Sequence, residues 1–294
     1  MTSCPLCGST EIRLFKRGKA LAAQPFSITQ PTYGYQRTLC LCHSCEGVFA
    51  DPLPTQASLD HAYETLEDSF YVKEGGRARN AREVLLSLEK IAGHRGRLLD
   101  VGCFCGTLLS EAKRLGWETE GVEPSRWARG EARRRFGIEI RFSSVEAASF
   151  PEGTFDAATA IDVLEHFLHP REALVEIRRI LKPRGLFYLT TPDIQSLASR
   201  IFQGRWWGYR PEHLFYFSRQ SLRALLVSVG FEPVWEGCAS RFFTLRELAR
   251  RLKGVSPPLA RLLSPVGRIP LLEKREFRIH LFDQIALMVK KPNG

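Results

Sequence analysis

Long apolar runs are missing from this 294-residue chain. No segment has the roughly 18 or more consecutive apolar residues that a membrane span needs, so a transmembrane protein is not expected. The opening MTSCPLCGST has neither a basic leader nor an apolar stretch and does not read as a secretion signal. The expected setting is therefore a reducing cytoplasm, where the eight cysteines serve as metal ligands or free thiols rather than disulfides. An intact G-x-G-x-x-G is also absent. Counted from Gly102, its third position is Phe104, which removes the pyrophosphate turn of a dinucleotide oxidoreductase. There is no Lys/Arg-rich tail, although the net charge is +10. That charge can draw nucleic acid, anionic lipid or phosphorylated substrates, or it is only a solvated basic surface.

Apolar residues make up 44% of the chain, enough for one full α/β core with a small appendage. Cys4-Pro-Leu-Cys7 and Cys42-His-Ser-Cys45 are two C-x₂-C knuckles separated by 34 residues. Each knuckle turns two thiolates toward one point, and two knuckles complete a tetrahedral S₄ site for structural Zn2+. Cys40 and His43 lie close by but fit the spacing with Cys45 less well than Cys42 does. A zinc-ribbon-like module is therefore expected over residues 1–54, with residues 10–39 forming a hairpin or loop. A linker and leading helix follow over 55–96, where Tyr63, Phe70 and Tyr71 either pack the linker onto the core, the preferred reading, or line the mouth of a ligand site.

The chain is organised around residues 97–109, RLLDVGCFCGTLL. An apolar run ends on Asp100, Gly102 and Gly106 follow, and Leu108, Leu109, Ala112 and Leu115 begin a helical stripe. That is a strand, a tight turn and a helix start, where unpaired N–H groups favour a carboxylate or phosphate. A second strand ends on Glu123, 21 residues after Gly102. This is the interval at which an α/β nucleotide site sets a carboxylate on ribose hydroxyls. Periodicity predicts further strands over 138–142, 155–161 and 185–191 and helices over 107–115, 125–136 and 170–181. Together these make a parallel, doubly wound sheet.

The segment Asp100-Val-Gly102-Cys103-Phe104-Cys105-Gly106 resembles motif I of class I S-adenosylmethionine-dependent methyltransferases, with Phe104 where the family has its middle glycine. Gly121-Val-Glu123-Pro124-Ser125, then Ile161-Asp162-Val-Leu-Glu165-His166, then the block from Leu181 to Asp193 resemble the later motifs in the family's order. The likeness runs from about residue 97 to 231, and similar ribbons precede a bacterial subset of these enzymes. It implies a Rossmann-like seven-stranded sheet over 97–294, with a last strand over 283–290 inserted antiparallel between strands 5 and 6. It also implies S-adenosylmethionine as cofactor. The residues it assigns to that cofactor are Asp100, Gly102, Cys103, Gly106, Glu123 and Pro124, then Ser144 and Val145 after strand 3, and Ile161 and Asp162 after strand 4.

The aromatic segment 194–217 reads as a lid in which most rings pack, with His213 and Tyr216 as the exceptions. Methyl transfer to oxygen needs in-line positioning and a proton acceptor. His166 and His213 are the catalytic candidates, with Asp162 and Glu165 as alternatives. The basic insertion 241–280 begins with an amphipathic helix over 244–252. It either meets a phosphorylated substrate, a membrane surface or a partner, or simply covers the pocket. The expected activity is methylation of a small-molecule, glycan or lipid-linked acceptor, at oxygen. An RNA methyltransferase is the alternative, although strand 4 is not followed by Asn/Asp-Pro-Pro-aromatic. A non-catalytic, zinc-stabilised scaffold is the third reading, and only Phe104 favours it.

Overall fold

The computed structural model describes residues 3–18, 37–68, 76–239, 241–253, 261, 275–280 and 282–293. The centre of the 10–39 connection, Phe70, Tyr71 and the proline-rich part of the basic insertion lie outside them. In chain order the strands are β1 (Ile12–Lys16), β2 (Leu39–Cys42), β3 (Val48–Ala50), β4 (Arg97–Val101), β5 (Glu118–Val122) and β6 (Phe155–Ile161), followed by β7 (Leu181–Pro192), β8 (Phe215–Tyr216), β9 (Glu232–Cys238), β10 (Arg241–Thr244), β11 (Glu276–Ile279) and β12 (Gln284–Lys290). The helices are α1 (Gln56–Glu64), α2 (Arg77–Ala92), α3 (Thr107–Leu115), α4 (Arg126–Phe136), α5 (Pro170–Ile180), α6 (Leu197–Phe202), α7 (Arg219–Val229) and α8 (Leu245–Lys253).

The central sheet runs β5-β4-β6-β7-β12-β9. Strands β5, β4, β6 and β7 pair in parallel, and β12 lies antiparallel between β7 and β9, as expected for the last strand. Side chains alternate across a strand, and here the alternation divides the core in two. Leu99, Ala158, Phe187 and Ile285 face α5 and α7, while Leu98, Ala157, Tyr188 and Ala286 face α2 and α3. Helix α5 shows why it packs where it does. Pro170 suits its first turn, and Ala173, Leu174, Ile177 and Ile180 form one buried stripe. Helix α7 starts with a reciprocal Ser218/Ser221 capping box.

The expected strand over 138–142 does not form a ladder, so among the described residues this sheet has six strands rather than seven. Arg141 makes one parallel bridge to Val122. Its N–H donates to the Gly121 carbonyl at 3.0 Å, and its carbonyl accepts from Glu123 at 3.1 Å. Only Ile140 of the five residues is buried, so the segment offers too little apolar surface to hold a full edge strand.

The first module builds its own antiparallel sheet, β1-β2-β3-β8. Its fourth strand comes from the lid, with Val48 opposite Tyr216 and Phe49 opposite Phe215. Trp206, Tyr209 and Tyr216 pack with Leu39, Val48 and Ala50 in one cluster. Most lid aromatics therefore hold the lid to this module.

Candidate functional sites: a sulfur cluster and a two-walled cavity

Cys4 and Cys7 sit on one tight turn, and Cys42 and Cys45 flank another at the end of β2. Sγ of Cys4 lies 3.6 Å from Sγ of Cys45, and Sγ of Cys7 lies 3.6 Å from Sγ of Cys42. All four sulfurs fall within 4.8 Å of one another. Four Zn–S bonds of about 2.3 Å in a tetrahedron set sulfur–sulfur edges near 3.8 Å, so this donor set fits zinc. Cys40 and His43 are not part of the cluster.

The carboxyl ends of β4, β5 and β6 open onto a cavity of 910 Å³. Asp100, Gly102, Cys103, Glu123, Pro124, Ser144, Val145, Ile161, Asp162, His166 and His213 all line it. Two of the sequence expectations fail. Gly106 does not line the cavity; it caps α3, and a Cβ there would lie 3.1 Å from Cβ of Ala132 in α4. Tyr216 does not line it either. Its ring lies against Tyr209, and its hydroxyl donates to the Arg210 carbonyl at 3.3 Å.

One wall comes from the β4–α3 turn and the end of β5. Gly102 has φ +65°, and a Cβ there would meet Val163 Cγ2 at 2.7 Å, so the turn needs glycine both for its backbone and for space. Glu123 is 3% exposed. Its Oε2 accepts from the Phe104 N–H at 2.9 Å and its Oε1 from the Ser125 N–H at 2.8 Å. Each oxygen keeps a further lone pair. Burial raises this carboxyl to about 7, against the lowering effect of those two N–H groups. Asp100 is 4% exposed, and its Oδ1 accepts from Thr159 Oγ1 at 2.7 Å. Burial lifts it to about 7 as well. Phe104 takes φ +44°, and its ring packs with Trp127, Leu66 and Ala128. The motif's missing glycine is thus replaced by a strained residue whose N–H still supports Glu123.

The facing wall follows β6. Asp162 has φ +55° and accepts from Thr190 Oγ1 at 2.9 Å. The Arg241 guanidinium bridges it to the Gln284 side chain. Glu165 and His166 lie on the short 3-10 turn Leu164–His166. The lid adds His213, whose ring stands edge-to-face on that of His166, 4.8 Å between centroids. Nδ1 of His166 meets the Glu212 carbonyl at 3.1 Å, and Nδ1 of His213 meets the Gly208 carbonyl at 2.9 Å. Carbonyls only accept, so both Nδ1 atoms carry the proton and both Nε2 atoms keep a lone pair. Burial lowers both imidazole pKa values, that of His213 the further, which leaves both rings neutral at pH 7. Glu165 is 1% exposed, and neither of its oxygens has a hydrogen-bond partner among the described residues. Burial, and then the Asp162 carboxylate, raise its pKa.

Sequence reasoning missed Arg241, which lay in an insertion with no motif around it. It also preferred packing over a place at the cavity mouth for Tyr63, whereas Tyr63, Trp207 and Phe142 all line the cavity. Trp207 Nε1 donates to Asp283 at the start of β12, and the Phe242 N–H in β10 donates to Asn80 Oδ1 in α2 at 2.8 Å. Only long-range contacts bring these residues together.

A family model described as a methyltransferase domain matches residues 73–236. The ubiquinone biosynthesis O-methyltransferase of Nitrosococcus oceani is 32% identical over 116 residues, 36% of this chain and 49% of that protein. The mitochondrial enzyme of the same name from Schizosaccharomyces pombe is 33% identical over 110 residues, 35% of this chain and 40% of its own length. The chain thus spans about half or less of these relatives. Among solved structures, the Burkholderia thailandensis 1,6-didemethyltoxoflavin-N1-methyltransferase, with bound S-adenosylhomocysteine, has a TM-score of 0.52 at 15% identity over 84% of this chain and 96% of that one. That likeness is one of fold. Among the described residues no helix is long and apolar enough to cross a membrane.

Proposed function

The chain belongs to the class I S-adenosylmethionine-dependent methyltransferases, and from that premise we propose that it methylates an oxygen of a small-molecule, glycan or lipid-linked acceptor. The observation that carries this reading is one cavity with two unlike walls: buried carboxylates at strand ends on one side, and two neutral imidazoles on the other. The relatives named as O-methyltransferases favour an oxygen acceptor.

The residues present fit the cofactor. Glu123 has one lone pair left on each oxygen, which suits two vicinal ribose hydroxyls, and its anchors are backbone N–H groups that cannot swing away. Asp100 has one oxygen occupied by Thr159 and the other available to an ammonium group. When bound, S-adenosylmethionine supplies a methyl group on a sulfonium. Gly102 lets the backbone come close, and Pro124, Ser144, Val145 and Ile161 complete that wall, while Asp162, tied to Arg241, belongs to the facing one. His166 or His213 takes the acceptor's hydroxyl proton at Nε2, a contribution worth typically ~10²–10⁴-fold in rate. A volume of 910 Å³ lies in the upper range for ligand cavities and leaves room for an acceptor beside the cofactor.

We further assign residues 1–54 as a zinc-ribbon module with Cys4, Cys7, Cys42 and Cys45 as ligands, 55–96 as a linker and leading helix, and 97–294 as the catalytic domain. The test is calorimetric titration of the full, zinc-loaded chain with S-adenosylmethionine. Micromolar binding followed by methyl transfer to a hydroxylated acceptor is expected. A folded chain that does not bind the cofactor overturns the reading and leaves the scaffold alternative.

A further inference from the structure

The carbonyls that orient the two imidazoles belong to one stretch of the lid: His166 Nδ1 donates to that of Glu212 and His213 Nδ1 to that of Gly208. A neutral imidazole accepts a proton at Nε2 only while its own proton stays on Nδ1. The rings are basic toward the cavity only as long as these carbonyls keep their places. The first module grips the stretch from its outer side. Arg37 Nε donates to the Pro211 carbonyl at 3.0 Å, and the Ala50 N–H donates to the Leu214 carbonyl at 2.8 Å. Beyond them, Phe49 and Val48 of β3 pair with Phe215 and Tyr216 of β8. Trp206 and Tyr209, on either side of Gly208, are buried in one cluster with Leu39, Val48 and Ala50. On the inner side, the Leu214 N–H donates to the Glu165 carbonyl at 2.8 Å. Leu214 thus joins the first module to the turn that carries His166.

We propose that the first module clamps the acceptor side of the cavity, with Arg37 and Ala50 as positioning residues that hold the main chain around His213 and thereby fix the Nδ1–H tautomer of His166. Neither residue lines the cavity, so both act through the lid. Pro211 and Leu214 flank Glu212 and His213, and a main chain held at both ends resists rotation of the peptides between them. With a hold released, the Glu212 carbonyl can turn away from His166. The ring proton is then free to move to Nε2, and in that tautomer Nε2 has no lone pair for an acceptor's proton. The first module thus has a task at the reacting groups besides its own folding. The use of the rings as proton acceptors rests on the oxygen-methylation reading, but the clamp itself does not.

The test uses the full chain, supplied with Zn2+ and S-adenosylhomocysteine and labelled with 15N at histidine. Ring nitrogen shifts report the tautomer, and ring N–H signals report exchange with water. Among the seven histidines, the two rings are identified by the signals missing from His166→Gln and from His213→Gln. A hydrogen bond from a charged donor is strong enough to hold back a local opening about tenfold or more. Arg37→Met is therefore expected to speed exchange of the His166 Nδ1 proton about tenfold or more and to mix its tautomers. Ala50→Pro, which removes the N–H donor, is expected to do the same. Arg37→Lys keeps a donor and is expected to keep the wild-type signals. Arg178→Met is the control, because it loses a guanidinium bond to the Gly230 carbonyl, 3.0 Å long, between α5 and the end of α7. Histidine signals unchanged in both Arg37→Met and a folded Ala50→Pro overturn the proposal. Equal acceleration in Arg178→Met overturns it too. If Ala50→Pro does not fold, Arg37→Met and its lysine rescue carry the test. Calorimetry with S-adenosylhomocysteine on the same chains tests the methyltransferase reading separately. A wild type that fails to bind it removes that reading, while the histidine signals still decide the clamp.

Discussion

On the wall assigned above to the cofactor, Glu123 is held by two N–H groups of its own β-α-β unit. On the facing wall, Asp162 is held by a guanidinium that enters the chain 79 residues later. The first wall is built from backbone and short-range contacts. The second is assembled from the turn after β6, the lid, β10 and the start of β12. A group anchored by backbone keeps its place when neighbouring side chains change. A group anchored by a distant side chain is repositioned whenever that segment is altered.

Breaking the local wall has the largest expected effect. Asp100→Ala with Glu123→Ala removes two charge-assisted contacts worth about 1.5–3 kcal/mol each, so S-adenosylmethionine affinity is expected to fall about 10²–10⁴-fold by calorimetry. Next comes Phe104→Gly. It relieves a left-handed residue costing roughly 1–2 kcal/mol but removes a buried ring worth about 3–5 kcal/mol. Urea denaturation is expected to show a net loss of about 2–3 kcal/mol. On the facing wall, Arg241→Met strips Asp162 of its partner in a half-buried setting. A loss of about 1–3 kcal/mol in stability is expected, with cofactor affinity unchanged within about twofold. Equal losses of affinity in Arg241→Met and in the double variant would erase the distinction between the walls.

The same wall carries a pH signature. Asp100 and Glu123 both rise to about 7 on folding. The folded chain therefore binds more protons than the unfolded one between about pH 4 and 7, and the cofactor-free protein loses stability as pH rises through that window. The cofactor favours the ionised carboxylates. Its affinity is expected to rise about tenfold between pH 6 and 8 for each acid that must ionise, measured by calorimetry in buffers of differing ionisation heat. The smallest effect is that of Tyr216→Phe, which loses one hydroxyl bond to the Arg210 carbonyl. Stability is expected to drop by about 0.5–1.5 kcal/mol, with the turnover rate intact.

The contrast between the walls is also a contrast in what the sequence discloses. Asp100, Gly102 and Glu123 were legible because a strand, a turn and a helix start leave a fixed spacing within one stretch of chain. The antiparallel β12 was legible too, through the family likeness. The missing third strand was not, because alternation over 138–142 says nothing about whether those residues find a surface to bury; only Ile140 does. Gly106 was misplaced for a related reason. Its spacing fits the motif, yet its neighbour is Ala132 rather than the cavity. Arg241 and the edge-to-face histidine pair depend on contacts across 46 to 79 residues, which no local pattern encodes.

The pairing of β3 with β8 has a consequence in time. All three residues of β3 are complete once residue 50 has been made, yet the strand that covers its outer edge ends at Tyr216. At a synthesis rate of about 5–20 residues per second, that edge waits roughly 10–30 s on the ribosome. Val48, Phe49 and Ala50 are almost wholly buried in the finished protein, so during that interval an apolar strand edge stands open to other nascent chains. The four cysteines are complete by residue 45, long before then. Under the zinc assignment proposed above, their closure around the metal holds the unfinished sheet until its last strand is translated.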